Sequence, residues 1–357
     1  MKLLSDLELA RLVEEAAAPD LSQTRYSIVR PVASGGMGRV YLVKDTELGR
    51  DVALKVMNLP DVSEELAARM LREARIIAGL EHPGIVPVHD LGRLPDGRIF
   101  FTMKYVQGRT LDAYVKDELL LPELVRCFLR ISEAVAFAHS RGVIHRDLKP
   151  ENIMIGPFGE VLVMDWGIAK LIQEDGPVQI PSKAAPGSDG IANASQSSLD
   201  PGAPGLGPSR KLLTGAGAVL GTPQFMSPEQ AEGRTQQIGP SSDVYGLGAV
   251  LFYMLTGMAP LPLAGGGPDW PAHSRSIPKS LKAICAKCLS LRSADRYRNA
   301  GELSDDVIRF LDDKAVSAHP ETLADRLVRV ISKNRFLVFL IAAYLIMRAL
   351  VLFFAHR

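Results

Sequence analysis

Eight consecutive residues, His145-Arg146-Asp147-Leu148-Lys149-Pro150-Glu151-Asn152, gather carboxylate, cationic and amide side chains into one short polar stretch. Apolar runs precede it (Gly142-Val143-Ile144) and follow it (Ile153-Met154-Ile155), the pattern of a loop held between short strands. Asp147 can take a proton from a hydroxyl. Lys149 can neutralise a transferring phosphoryl group. The side-chain carbonyl of Asn152 is a hard oxygen ligand suited to magnesium. A further carboxylate, Asp165, is delivered into the turn Asp165-Trp166-Gly167 by the apolar run Val161-Leu162-Val163-Met164.

Such a loop needs rigid elements around it. Residues 26–43 have the pattern of two strands around a glycine-rich turn, Ala33-Ser34-Gly35-Gly36-Met37-Gly38-Arg39-Val40. Glycines there let the backbone approach phosphate oxygens and offer them N–H groups; taken alone, the turn reads as a plain hairpin. Val52-Ala53-Leu54-Lys55 follows as a strand ending in a lysine, and residues 63–79 show helical periodicity and contain Glu73. Buried charge is costly unless paired, so a Lys55–Glu73 ion pair accounts for both residues. Residues 121–141 predict a long helix, with Pro122 at its start and Gly142 just past its end. Residues 242–257 predict a strongly apolar helix opened by Ser241-Ser242-Asp243, where Asp243 can serve as an N-cap. Two more helices are predicted over 277–291 and 301–311, after a Gly/Pro-rich stretch at 261–278.

The rest of the chain sets limits. With 357 residues, 47% of them hydrophobic and 23% charged, the chain can build a sizeable core. A formal net charge of +1 gives no global basic excess, so no nucleic-acid partner is expected. Cys127, Cys285 and Cys288 do not make a disulfide framework, and a reducing compartment fits them better. Cys285 and Cys288 read as two thiols on one helix. Residues 1–18 read as an amphipathic helix ended at Pro19, within an N-terminal extension over 1–25. Residues 174–217, crowded with Pro, Gly, Ser and Ala, read as a disordered insertion. A charged connector spans 312–335, and residues 336–355 are almost wholly apolar, about the length a helix needs to cross a bilayer. Arg348 interrupts that run in its second half, where its stem can snorkel to the far surface. Lys333 and Arg335 precede it, which favours a cytoplasmic N-terminal side. A buried or surface-lying amphipathic helix is the alternative.

Together these features resemble the bacterial, eukaryotic-type (Hanks-type) serine/threonine protein kinases, in particular their membrane-anchored subgroup. The loop is similar to the H-R-D-x-K-P-x-N catalytic loop, Asp165-Trp166-Gly167 to the D-F-G magnesium site, and residues 221–229 to G-T-x-x-Y-M-S-P-E. Lys55, Glu73, Asp147, Asn152, Asp165, Glu229, Asp243 and Arg296 are spaced as in that family. The resemblance implies an α+β, two-lobe protein-kinase fold over 26–311. A small antiparallel sheet with one helix would sit above a larger helical lobe, the insertion would fall in the activation segment, and a transmembrane helix would follow at 336–355. It implies ATP and Mg2+ as cofactors and Ser/Thr-containing proteins as substrates.

The roles it implies are specific. Lys55, held by Glu73, orients the α and β phosphates; Asp165 and Asn152 bind magnesium; Asp147 aligns and deprotonates the hydroxyl; Lys149 stabilises the γ-phosphate. The nucleotide is taken by Val32, Ala33, Ser34, Gly35, Gly36, Met37, Gly38 and Val40 of the turn, by Ala53 and Lys55, by the gatekeeper Met103, by Lys104 and Val106 of the hinge, and by Met154. Asp243 bonds the catalytic-loop backbone, and Arg296 pairs with Glu229. Four features depart from the family pattern: Ala33 in place of the first glycine, Lys104 in place of an acid, Trp166 in place of phenylalanine, and the shortened docking region at 261–278.

Arg146 precedes Asp147, and its planar fork suits a phosphate on the activation segment. Thr214 is the expected switch, phosphorylated between two chains on one membrane; Thr222, in the G-T-P stretch, is expected to act unmodified beside Asp147. The expected location is the inner (cytoplasmic) membrane, single-pass, with the kinase domain in the cytoplasm and the C-terminal helix in lipid. The competing class is a membrane-tethered pseudokinase scaffold of the same fold, supported by Ala33, Trp166 and the shortened region.

Overall fold

The computed structural model describes residues 18–35, 38–57, 64–117, 119–166, 223–261, 268–319, 339–341, 343–348 and 352. The expected N-terminal helix, the insertion at 174–217 and most of the tail lie outside these residues.

The chain opens with β1 (Tyr26–Gly35), β2 (Gly38–Asp45) and β3 (Arg50–Met57), followed by helix α1 (Glu64–Ala78), β4 (Val88–Arg93) and β5 (Ile99–Lys104). They form an antiparallel sheet in the order β1-β2-β3-β5-β4. Pro31 has no N–H for a ladder, and it sits at a register shift on edge strand β1, where that loss is tolerated. Alternate side chains of β3 enter two different cores, as strand geometry requires. Val52, Leu54 and Val56 pack with Tyr26, Tyr41 and Phe100 on one face. Ala53 and Met57 join the main core on the other, with Ala74 and Ile77 of α1. Lys55 shares the second face, so the strand itself aims the lysine at the cleft below.

The larger part of the chain adds β6 (Arg109–Thr110), α2 (Leu111–Tyr114), α3 (Leu121–Ser140), β7 (Ile153–Ile155), β8 (Val161–Val163), α4 (Pro228–Ala231), α5 (Pro240–Thr256), α6 (Lys279–Cys288) and α7 (Ala300–Leu311). A second, three-stranded sheet, β6-β7-β8, carries the candidate loop on β7 and Asp165 just past β8. The two parts are joined through Ile85, which bridges to Val163: the Val163 N–H donates to Gly84 O (2.8 Å) and the Val86 N–H to Val163 O (3.2 Å).

Helix α5 is buried around almost its whole circumference, as expected for a helix apolar on every side. It starts two residues earlier than the sequence predicts because Pro240 is tolerated in the first turn. Its N-cap is Gly239, so Asp243 does not cap the helix; it serves the catalytic loop instead. Gly248 of α5 faces α6: a Cβ there would lie 2.4 Å from Cys288 Cβ. Cys285 and Cys288 are both fully buried free thiols on α6, as expected. Gly248→Ala is expected to lower stability by about 1–3 kcal/mol, read as a lower urea midpoint at unchanged slope. An unchanged midpoint would mean the two helices do not approach this closely.

Among the described residues of 261–278 there is a 3-10 turn, Ala272–Ser276, and no α-helix. Residues 339–341 and 343–348 are helical, and Phe339, Leu340, Ile341, Tyr344, Leu345, Ile346 and Met347 are all exposed. Among the described residues no helix is long and apolar enough to cross a membrane.

Candidate active site

The loop at 145–152 hangs from a carboxylate on α5. Asp243 is buried; its Oδ2 accepts the His145 N–H (2.7 Å) and its Oδ1 the Arg146 N–H (2.8 Å). His139, at the end of α3, places Nε2 2.9 Å from the same Oδ2. Its Nδ1 accepts the Ala300 N–H (3.2 Å), so the ring proton is on Nε2 and is donated to Asp243. Burial acts to raise the Asp243 pKa, but the His139 bond, the nearby imidazoles and the backbone donors outweigh it and hold the group below the usual carboxylate range. A charged clamp therefore fixes the backbone just before Asp147.

Arg146 has φ 66°, the left-handed region that costs a non-glycine residue of order 1–3 kcal/mol. Its peptide groups are pinned on both sides, the N–H by Asp243 and the carbonyl by Gln230 Nε2 (2.8 Å). His145 is bonded from Nε2 to the Met164 carbonyl (2.8 Å) and accepts the Asp147 N–H at Nδ1 (3.2 Å). Burial pushes its pKa down, which keeps the ring neutral for those two roles. Trp166 packs 4.7 Å from that ring and donates its Nε1–H to Val163 O (3.3 Å). The larger aromatic is thus accommodated behind Asp165.

The chemistry-bearing side chains meet in front of this clamp. Asn152 Nδ2 donates to the Asp147 carbonyl (2.7 Å) and to Asp147 Oδ2 (3.0 Å), and Lys149 Nζ lies 3.0 Å from the same Oδ2. The Met164 N–H donates to Asn152 O (2.8 Å), which sets Asp165 beside the loop. Asp165 also has a left-handed backbone (φ 54°), and Lys55 Nζ is 2.7 Å from its Oδ1. The expected partner of Lys55 was Glu73. Glu73 is on α1, but its side chain lies outside the described residues; the partner that is described is Asp165. The donor set suits a magnesium ion: with its amide N–H groups committed to Asp147, Asn152 keeps Oδ1 for a cation, and Asp165, set beside the loop, offers a carboxylate.

On the nucleotide side, Ala53 pairs with Met103 across β3 and β5, and Val40 pairs with Lys55 across β2 and β3. Val40, Val106 and Met154 are half-buried against the main core, while Val32, Ala33, Ser34 and Gly35 are exposed on β1. Gly36 and Met37 lie outside the described residues. The Lys104 N–H is committed to Pro87 O (3.1 Å), so of its two backbone groups only the carbonyl can face a ligand. Glu229 and Arg296 form a two-pronged buried ion pair (2.7 and 3.0 Å), as the resemblance implied. Thr214 and Thr222 lie outside the described residues.

Residues 26–187 match the protein kinase domain family. Residues 26–187 are thus similar to a protein kinase domain. The chain is 32% identical over 319 residues to serine/threonine-protein kinase PknD of Protochlamydia amoebophila, covering 81% of this chain and 30% of that protein. It is 35% identical over 309 residues to PknD of Chlamydia pneumoniae, covering 79% and 31%. The chain thus spans less than a third of the length of these curated relatives. Among solved structures, the PknI kinase domain of Mycobacterium tuberculosis aligns with a TM-score of 0.56 at 23% identity, covering 87% of this chain and 99% of that one, a likeness of fold.

Within this kinase fold, sequence reasoning missed His139 and Gln230, which hold the loop from α3 and α4. The only signal for His139 was its position four residues after Val135, on the buried face of α3. Gln230 had none, since a glutamine after Glu229 reads as solvated.

Proposed function

We propose that this chain is a serine/threonine protein kinase that transfers the γ-phosphoryl group of ATP to protein hydroxyls. The observation that carries it is the bonded cluster of Asp147, Lys149 and Asn152, set beside the Lys55–Asp165 pair in one cleft. Bound Mg2+, held by Asp165 and Asn152, would neutralise charge on the phosphates. Lys55 supplies a fixed positive charge on the wall of that cleft. Asp147 accepts the proton of the incoming hydroxyl as its oxygen bonds to the γ-phosphorus and the bond to the β–γ bridging oxygen breaks, releasing ADP. Lys149, 3.0 Å from Asp147 Oδ2, sets a positive charge beside the transferring group. The test is incubation of the full chain with Mg-ATP and a protein mixture offering Ser, Thr and Tyr. Phosphoserine and phosphothreonine are expected. No transfer above an Asp147→Asn control would leave a pseudokinase scaffold.

The exposed apolar side chains at 339–347 support a membrane anchor for the tail, with the kinase domain on the cytoplasmic side of the inner membrane. The full chain is expected to remain in the membrane fraction after carbonate extraction; a chain soluble without detergent overturns the anchor. On such a surface two copies can meet, and Thr214 is the residue proposed to be phosphorylated between them, to engage Arg146. Thr214→Ala is expected to reduce activity of a phosphorylated preparation severalfold; full activity in that variant places the switch elsewhere.

A further inference from the structure

The chain does not leave the large lobe at the end of α7. It turns back through a left-handed Asp313 (φ 54°), with Asp313 N–H donating to Phe310 O (3.2 Å) and Lys314 N–H to Arg309 O (2.7 Å), the double bond of a Schellman turn. Val316 then enters the main core. The next residues are fastened to Asp306 of α7, whose side chain is fully buried. Asp306 accepts the Ser317 N–H (2.7 Å), the Ser317 hydroxyl (2.7 Å), the Ala318 N–H (3.0 Å) and the Tyr297 hydroxyl (2.8 Å).

Two bonded routes run from this anchor to the catalytic loop. Asp306 is six residues along α7 from Ala300, about 9 Å of helix, and the Ala300 N–H holds His139, which holds Asp243, which holds the backbone of His145 and Arg146. Tyr297, bonded to Asp306, directly follows Arg296, which holds Glu229; the next residue, Gln230, holds the Arg146 carbonyl. Both routes end on the peptide groups that precede Asp147.

We propose that residues 312–319 are a clip through which the chain leading to the apolar tail sets the geometry of the catalytic loop. A pull on the connector opens the bonds to Asp306, loosens the start of α7 and relaxes the support on His145 and Arg146. The functional meaning rests on the kinase reading; the mechanical coupling does not.

Contiguity alone does not establish coupling, so the test reads both ends in the full chain. Ser317→Glu sets a carboxylate against Asp306, and Asp306→Ala removes the acceptor; Ser317→Thr keeps the hydroxyl and is expected to match the wild type. Both opening variants are expected to speed amide exchange over 312–319 by about tenfold or more. The His145 and Arg146 amides, which report the Asp243 clamp directly, are expected to exchange faster in step. Turnover is expected to fall by about five- to tenfold, with KM for ATP little changed. In a His139→Gln background, Ser317→Glu is expected to cost much less further turnover, because the first route is already cut. Opening of 312–319 without any change at His145 and Arg146 overturns the proposal, as does failure of both variants to open it. Coupled exchange in a chain that transfers no phosphate would leave the clip standing and remove the kinase reading.

Discussion

The Asp147→Asn variant is expected to transfer phosphate about 10²–10⁴-fold more slowly than the wild type, the range a positioned general base contributes. The substitution is close to isosteric, so its effect can be assigned. An asparagine at 147 still offers an oxygen to Asn152 Nδ2, and the backbone carbonyl bond from Asn152 (2.7 Å) is untouched. The Asp243 clamp acts on the backbone of residues 145 and 146 and does not involve the Asp147 side chain. What is lost is the capacity to accept a proton. ATP binding, measured by titration, is therefore expected to stay near wild type while kcat collapses. Equal kcat in the two proteins would remove Asp147 from the chemistry, and a parallel loss of ATP binding would mean the substitution had disturbed the cleft.

Much of this site was legible because its chemistry is dense in sequence. Asp147, Lys149 and Asn152 fall within one loop, and strand alternation alone is enough to put Lys55 on the same face of β3 as Ala53. The supports were less legible because they are long-range. His139 meets Asp243 across 104 residues and Gln230 meets Arg146 across 84, and a single polar residue on a helix carries no local mark of its partner. Periodicity says which face is buried but not what it meets. Asp243 shows the same limit: a local reading offers an N-cap, the resemblance ties it to the catalytic-loop backbone, and the packing of α5 beneath the loop commits both carboxylate oxygens to two backbone N–H groups. Lys55 shows the same limit. Charge balance asks for a carboxylate near a buried lysine, and a local reading points to the neighbouring helix but not to Asp165, 110 residues away, which is the partner described.

The largest stability effect is expected at Glu229. Arg296 is buried, and each of its five N–H donors finds an acceptor: the two carboxylate oxygens of Glu229 and the carbonyls of Ser241, Ser290 and Leu291. Ser242 adds a hydroxyl bond to Glu229 Oε1 (2.7 Å). Burial acts to raise the Glu229 pKa, but the Arg296 and Ser242 bonds overcome it and bring the group from an ordinary 4.5 down to about 2. That depression corresponds to roughly 3 kcal/mol of stability carried by the ionised form. The sign follows: a carboxylate with a lowered folded pKa stabilises the fold above pH 4.5, and the contribution drains away as the pH falls from 4.5 towards 2. Glu229→Gln leaves the guanidinium buried without its counter-charge and is expected to cost about 3–5 kcal/mol at neutral pH. Urea unfolding of both proteins at pH 7 and at pH 3 checks this, and the comparison isolates Glu229 because Asp243 and Asp306 titrate alike in both. The gap between the two proteins is expected to narrow at the lower pH, where the wild-type carboxylate begins to protonate. A gap that is small at pH 7, or that widens on acidification, would mean the ion pair does not hold α4 to the large lobe in the way its geometry indicates.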